Sequence, residues 1–185
     1  MPASSLLTAT SADVVAFWRD AGPTRWFRKD TAFDDECRDR FGVAHEAAAR
    51  GELDGWAVSA PGALALLILL DQIPRNVFRG TPRMFATDRQ ARAVARSALS
   101  AGFDGHVDAE LRNFFYLPFM HSENLADQDE AVELTQKLGD DALRYAIMHR
   151  DIIQRFGRFP HRNAMLGRTT TPEEQRFLDD GGFAG

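Results

Sequence analysis

The sequence predicts an all-α fold, a single-domain array of about eight helices packed as helix pairs. Three observations predict it. Apolar residues recur at i, i+3, i+4 and i+7 in one segment after another. Small polar caps and Gly or Pro stops bracket those segments. No segment sustains period-two alternation, and no Asn-Gly or Asp-Gly pair sits between β-rich runs; Asp104-Gly105 lies between helical patterns instead.

Residues 1–10 are small and polar and read as a flexible start, with the helical domain over 11–180. Ser11 is placed to cap a first helix carrying Val14, Val15, Phe17 and Trp18, stopped by Gly22-Pro23. A connection rich in aromatics follows, with Trp26, Phe27 and Phe33. A second helix runs from Asp34 to Arg50, with Cys37, Phe41, Ala44, His45 and Ala48 at helical spacing and Gly51 at its end. Ser59 and Pro61 start a third, whose interior ALALLILL (63–70) is apolar on every side and so belongs at the centre. Pro74 is expected to end it, leaving Ile73 to Pro82 as an irregular loop.

Thr87 or Asp88 opens a fourth helix, with Ala91, Val94, Ala95, Ala98 and Leu99 on one stripe and Gly102 closing it. Asp108 caps a fifth with Leu111, Phe114 and Phe115, stopped at Pro118. Ser122 opens a sixth toward Leu138, broken by Gly139. The seventh carries Ala142, Tyr145, Ala146, His149, Ile152, Ile153 and Phe156, ended by Gly157. Thr171-Pro172-Glu173-Glu174 is a capping box with Pro in the first turn, followed by Phe177 and Leu178.

The 185 residues fit one domain, and 44% hydrophobic with 26% charged residues is ordinary globular composition. The single Cys37 excludes an internal disulfide and points to a reducing, cytoplasmic setting. No secretory pattern opens the chain. The longest apolar run, eight residues, is far short of the ~20 of a membrane span. A net charge of −5 disfavours bulk nucleic-acid binding. Neither a nucleic acid nor a membrane is therefore an expected partner, and no cofactor is implied.

The charge is unevenly spread. Between Asp104 and Asp141 lie ten acidic residues against Arg112 and Lys137; between Arg144 and Arg168 lie six arginines against Asp151. Three Pro-turn segments hold most of the unusual polar residues: LDQIPRNVFRG (70–80), FYLPFMHSENLADQ (115–128) and HRDIIQRFGRFPHRN (149–163). His121 and Glu123 on one loop suit a general base and its orienter, with His161 as a second proton carrier. The same pair, joined by His149 and His161, would make a metal site only if the fold gathered them. The spacing matches no metal motif, so no metal is assigned. The bland alternative makes His121 and Glu123 helix caps paired to arginine.

Arg75, Asn76, Arg79, His149, Arg155, Arg158 and Arg162 are the candidate ligand-binding residues, as donors for an anion. The competing reading of His149 is a buried, hydrogen-bonded core histidine. Arg158, His161 and Arg162 also suit the negative end of a helix dipole. Asp71 sits where that dipole disfavours a carboxylate, and an arginine from 149–163 would compensate it. Cys37, on an apolar stripe, reads as an inert core thiol, and Phe114, Phe115, Tyr116, Phe119 and Trp26 as core.

These three strings and the closing TTTPEEQRFL (169–178) resemble a bacterial family, domain of unknown function 924. The resemblance covers roughly Val14 to Leu178 and is loosest before residue 60; Thr169 stands where Ser is expected. It implies an all-helical fold like that of tetratricopeptide-repeat proteins and brings no established reaction. Three functional readings follow from the residues: a small-molecule site where arginines hold an anion and His121 or His161 moves a proton, in hydrolysis or group transfer; a helical module that clamps an acidic peptide; and a structural Arg/His/acid network. Oligomeric state is left open.

Overall fold

The computed structural model describes residues 9–185, among which ten α-helices and several 3-10 turns occur and no strand. The all-α expectation holds. Of the flexible start expected over 1–10, residues 1–8 lie outside the described residues. The chain forms two compact units: the first runs to Arg79 and resumes over Arg83–Pro118, and the second comprises Gly80–Pro82 and Phe119–Gly185.

The first unit holds α1 (Ser11–Ala21), α2 (Pro23–Trp26), α3 (Thr31–Ala49), α4 (Ala60–Leu67), α5 (Ile73–Val77) and α6 (Asp88–Ser100). Thr10, not Ser11, caps α1: its side chain accepts from Asp13 N while Asp13 reaches back to the Thr10 amide, a capping box. Asp30 caps α3, which begins at Thr31, three residues before the start read from the sequence. Ser59 caps α4 as expected, accepting from Gly62 N. Leu64, Leu66, Leu67 and Ile68 are among the most buried side chains, so the apolar helix is central here. Each such side chain contributes about 1.5–3 kcal/mol. Trp18 and Phe33 are buried with ring centroids 5.8 Å apart, and Phe114 meets the Trp18 ring edge-on at 5.7 Å.

Pro74 does not end this helix. Residues Ile68–Gln72 widen into a π turn and the chain continues as α5, with Pro74 in its first turn. The segment read as irregular loop is therefore helical as far as Val77. The widening has a local cause. The Ile73 N–H reaches five residues back to Ile68 O, and Pro74 has no N–H. Leu69 O and Leu70 O thus lose the donors an α-helix would give them. His45 Nδ1 lies 2.8 Å from Leu69 O, and Thr87 Oγ1 donates to Leu70 O at 2.5 Å. Thr87 therefore serves the π turn, and no side-chain hydrogen bond from it caps α6. The fifth expected helix is a 3-10 segment, Ala109–Phe115, and Asp108 makes no side-chain cap. Pro118 does not stop it but lies inside a short α7 (Leu117–Met120).

The second unit is built on α8 (Leu125–Thr135), α9 (Asp140–Phe156) and α10 (Pro172–Asp179). Asn124, not Ser122, caps α8; the Ser122 hydroxyl donates to Asp127 instead. Gln136–Leu138 and Gly139 form the short connection to α9, so α8 and α9 pack as a helical hairpin. Gly157, at φ +68°, donates to Ile153 O and closes α9 in the left-handed turn that glycine adopts without a Cβ clash. Ile152, Ile153 and Phe159 form the core, with Met148, Phe156, Phe177 and Phe183 against it. Tyr145, assigned to the same stripe by its spacing, is instead 53% exposed. The capping box at Thr171 and Glu174 forms as read.

Candidate functional site

In the first unit the polar residues of 70–80 find partners within their own segment, on α3 and on α6. Asp71 is 1% exposed, with the Arg75 guanidinium 3.2 Å from its carboxylate and Gln72 donating to it. Arg75 also reaches Asp88 at 3.1 Å. Arg79 holds Asp34 through Nε and Nη2, at 2.7 and 2.8 Å, while Asn76 donates to the same carboxylate at 2.8 Å. Burial alone would raise the Asp34 pKa; the hydrogen bonds from Arg79 and Asn76 outweigh it and hold the group below its ordinary value. Burial also pushes the Cys37 thiol up to about 12, so it is not a thiolate at neutral pH. The desolvated His45 ring is held below its usual pKa and, while neutral, donates from Nδ1 to Leu69 O.

In the second unit the segments 119–128 and 149–163 meet. Glu123 Oε1 accepts from Phe159 N at 2.8 Å, and Arg168 grips both carboxylate oxygens at 2.7 and 3.0 Å. Arg168 donates onward from Nε to Asn163 Oδ1 and from Nη2 to Phe159 O. Asn163 Nδ2 donates to Glu174 Oε2, and Arg158 holds Glu174 through Nε and Nη2, at 2.6 and 2.8 Å. The Thr171 amide completes the set on Glu174. One lattice, Glu123–Arg168–Asn163–Glu174–Arg158, thus ties the turn before α8 to the exit of α9 and the start of α10. Glu174 is 2% exposed, and the Arg158 hydrogen bonds hold its pKa down to about 2. Burial works to raise the pKa of Glu123, but Arg168 and the Phe159 amide outweigh it, so Glu123 too stays ionised.

The other candidates fall into three surroundings. Arg155 is exposed and pairs with Glu173 at 2.9 Å. Arg162 is 7% exposed, its guanidinium 4.5 Å above the Phe159 ring. His121 is half-buried in the turn between α7 and α8. His149, buried on α9, lies with Nδ1 2.8 Å from Tyr145 O and packs its ring on Phe159 and Phe183. His161 faces Phe159 at 5.6 Å and Phe183 at 5.1 Å, and its buried Nδ1 meets no hydrogen-bond partner among the described residues. Its pKa is lowered to about 3, first by burial and then by Arg162 and His149. Among the described residues no three His, Cys, Asp or Glu side chains gather into a metal-holding group.

Sequence reasoning missed Arg168, Asn163 and Glu174; of these the sequence marks only Glu174, and as a helix cap rather than as a partner of arginine. It also missed a groove of about 530 Å³ along α9, lined by Ile147, Met148, Ile152, Phe156, Phe177 and Phe183. Arg144, Asp151 and Arg155 stand at its rim. Arg144 pairs with Asp141 at 3.1 Å, with side chains 73% and 89% exposed.

The fold and site define a class: an all-α protein in which an arginine–carboxylate lattice fastens helix ends beside an open apolar groove. Among the described residues no helix is long and apolar enough to cross a membrane. The sequence matches over residues 14–182 the profile of a family of bacterial proteins of unknown function, DUF924, and the chain belongs to that family. A solved structure of a protein of unknown function from Agrobacterium tumefaciens is 56% identical, with a TM-score of 0.91, the match covering 92% of this chain and 97% of that one. No curated protein shows significant similarity to the chain.

Proposed function

We propose that this protein is a binding module for a small amphipathic acid, with the apolar body in the α9 groove and the carboxylate at the arginine rim. The observation that carries this reading is the groove itself, an apolar concavity within the ~300–1,000 Å³ typical of ligand sites. Its rim cations Arg144 and Arg155 pair with exposed carboxylates. Arg155 and Glu173 are each 54% exposed, and such a pair is worth less than about 1 kcal/mol, so a ligand carboxylate replaces Glu173 at little cost. Each methylene buried adds about 0.8 kcal/mol, so the chain supplies most of the affinity.

This reading gives Glu123, Arg158 and Arg168 the task of fastening helix ends. It also argues against proton transfer by Glu123 and His161, since the carboxylate is fully occupied by Arg168 and Phe159 N and the imidazole sits among phenyl rings. A second reading, an acidic peptide segment, is favoured by one feature: Arg144 and Arg155 stand eleven residues apart on one helix, about 16 Å, and would meet charges at both ends.

Titration calorimetry and thermal shift with dodecanoate, dodecylammonium and an acidic peptide test the proposal. Dodecanoate stabilises the protein and dodecylammonium does not. Arg155→Ala weakens dodecanoate about 2- to 5-fold. Ile147→Asp, at a position 40% exposed and hence tolerant of change, abolishes it. Equal binding by the Ile147→Asp protein, or none by wild type, overturns the assignment; tight binding of the peptide alone selects the second reading.

A further inference from the structure

We infer that residues 180–185 are a strap gating the groove, with Phe183 as its bolt, and that a ligand lifting the strap brings His149 and His161 into the bound space. The inference rests on the groove being the binding site. Three strap residues, Gly181, Gly182 and Phe183, line the groove, whereas His149 and His161 do not. The Phe183 ring touches both imidazoles, at 4.5 Å from His149 and 5.1 Å from His161. Phe183 therefore stands between the groove and the two histidines.

The root of the strap is built for one path. Gly181 adopts φ +83°, and a Cβ on Gly182 would lie 2.5 Å from Phe177 O and 2.6 Å from the Phe177 ring. Only glycine lets the chain run flush on Phe177. Gly181 N donates to Leu178 O and Gly182 N to Phe177 O. Beyond that root the Phe183 ring packs on the two imidazoles and on the Ile152–Ile153–Phe159 core, and Gly185 lies against the edge of His161, where a Cβ would come within 3.0 Å of Cδ2.

The closed position also carries a cost. It keeps His161 Nδ1 buried without a hydrogen-bond partner among the described residues, which opposes closure. Arg162, Arg168, His149 and Glu123 are the charged or titratable groups around that ring, and they act against a charged imidazole on balance. Packing of the Phe183 ring holds the strap down and the desolvated nitrogen opposes it, the two opposed contributions that a gate requires.

The test follows the ring resonances of His149 and His161 by NMR, with dodecanoate as probe and Phe183→Ala and Gly182→Ala as variants. In the free protein both variants shift the two imidazole signals, and His161 titrates closer to the ordinary histidine range. Signals unchanged by Phe183→Ala refute the bolt. Saturating wild type with dodecanoate moves the same signals in the same direction, and Phe183→Ala speeds dodecanoate association several-fold. Binding that leaves the histidine signals in place refutes gating while preserving the groove. If dodecanoate does not bind, the groove reading fails, and hydrogen exchange decides the strap: residues 181–185 exchanging faster than α10 supports a mobile closure, and protection equal to that of α10 overturns it.

Discussion

Glu174 shows how one side chain can fasten a corner. It caps α10 through the Thr171 amide, holds Arg158 through both oxygens and accepts from Asn163, all while 2% exposed. Glu123 does a similar job for Phe159 and Arg168 at greater exposure, 27% of its side chain. Neutral replacement keeps the shape and removes the charge, leaving an arginine without its counter-ion. We expect Glu174→Gln to cost about 3 kcal/mol and Glu123→Gln roughly 1–3 kcal/mol, the more buried partner costing more. Urea unfolding measures both, and a Glu174→Gln protein within about 0.5 kcal/mol of wild type would remove the lattice as the fastener. The arginine cluster was legible in the sequence because six guanidinium groups crowd into 144–168. Their partners were not: Glu174 and Asn163 lie 16 residues from Arg158 and 5 from Arg168, and Glu123 lies 45 from Arg168, pairings that only tertiary folding selects.

At the scale of the element, the π turn of Ile68–Gln72 shows where local rules stop. Proline in a helix reads as a stop because it lacks an N–H and clashes with the preceding turn. Here the helix widens and continues, because His45 and Thr87 come from other elements to serve the two carbonyls it strands. The caps at Ser59 and Thr171 and the exit at Gly157 were legible, since each depends on residues within one turn. A double-mutant cycle checks the account. Thr87→Val strands the buried Leu70 carbonyl and costs about 1–3 kcal/mol. Pro74→Ala supplies the N–H that an α-turn would aim at Leu70 O. In the Pro74→Ala background, Thr87→Val should therefore cost at least 0.5 kcal/mol less. Strict additivity would show that Thr87 does not replace the donor proline removes.

Across the molecule, three histidines make stability depend on pH before Asp34, Glu123 and Glu174 titrate. His45, His149 and His161 are all held below their ordinary pKa of 6.5, in each case first by burial. Above pH 6.5 they are neutral in both folded and unfolded chains, and their contribution is complete. As pH falls below 6.5 the unfolded chain takes up protons that the folded chain refuses, so stability declines, by up to about 1.4 kcal/mol per pH unit for each ring. For His161 the decline continues toward its folded value of about 3. The carboxylates act later. Asp34, Glu123 and Glu174 are lowered from 3.8, 4.5 and 4.5, so what they add is intact above about pH 5 and is lost below it, for Glu174 on the way to about 2. Among these six groups, the slope between pH 6.5 and 5 therefore comes from the histidines. His161→Phe separates them: a phenyl ring suits the Phe159 and Phe183 surroundings and has no nitrogen to leave unpaired. We expect urea-unfolding stability at pH 7.5 within about 1 kcal/mol of wild type, and a decline between pH 6.5 and 5 shallower by roughly one proton's worth. A variant whose decline parallels that of wild type would mean that the His161 ring is charged in the folded protein, and the apolar enclosure described for it would be wrong.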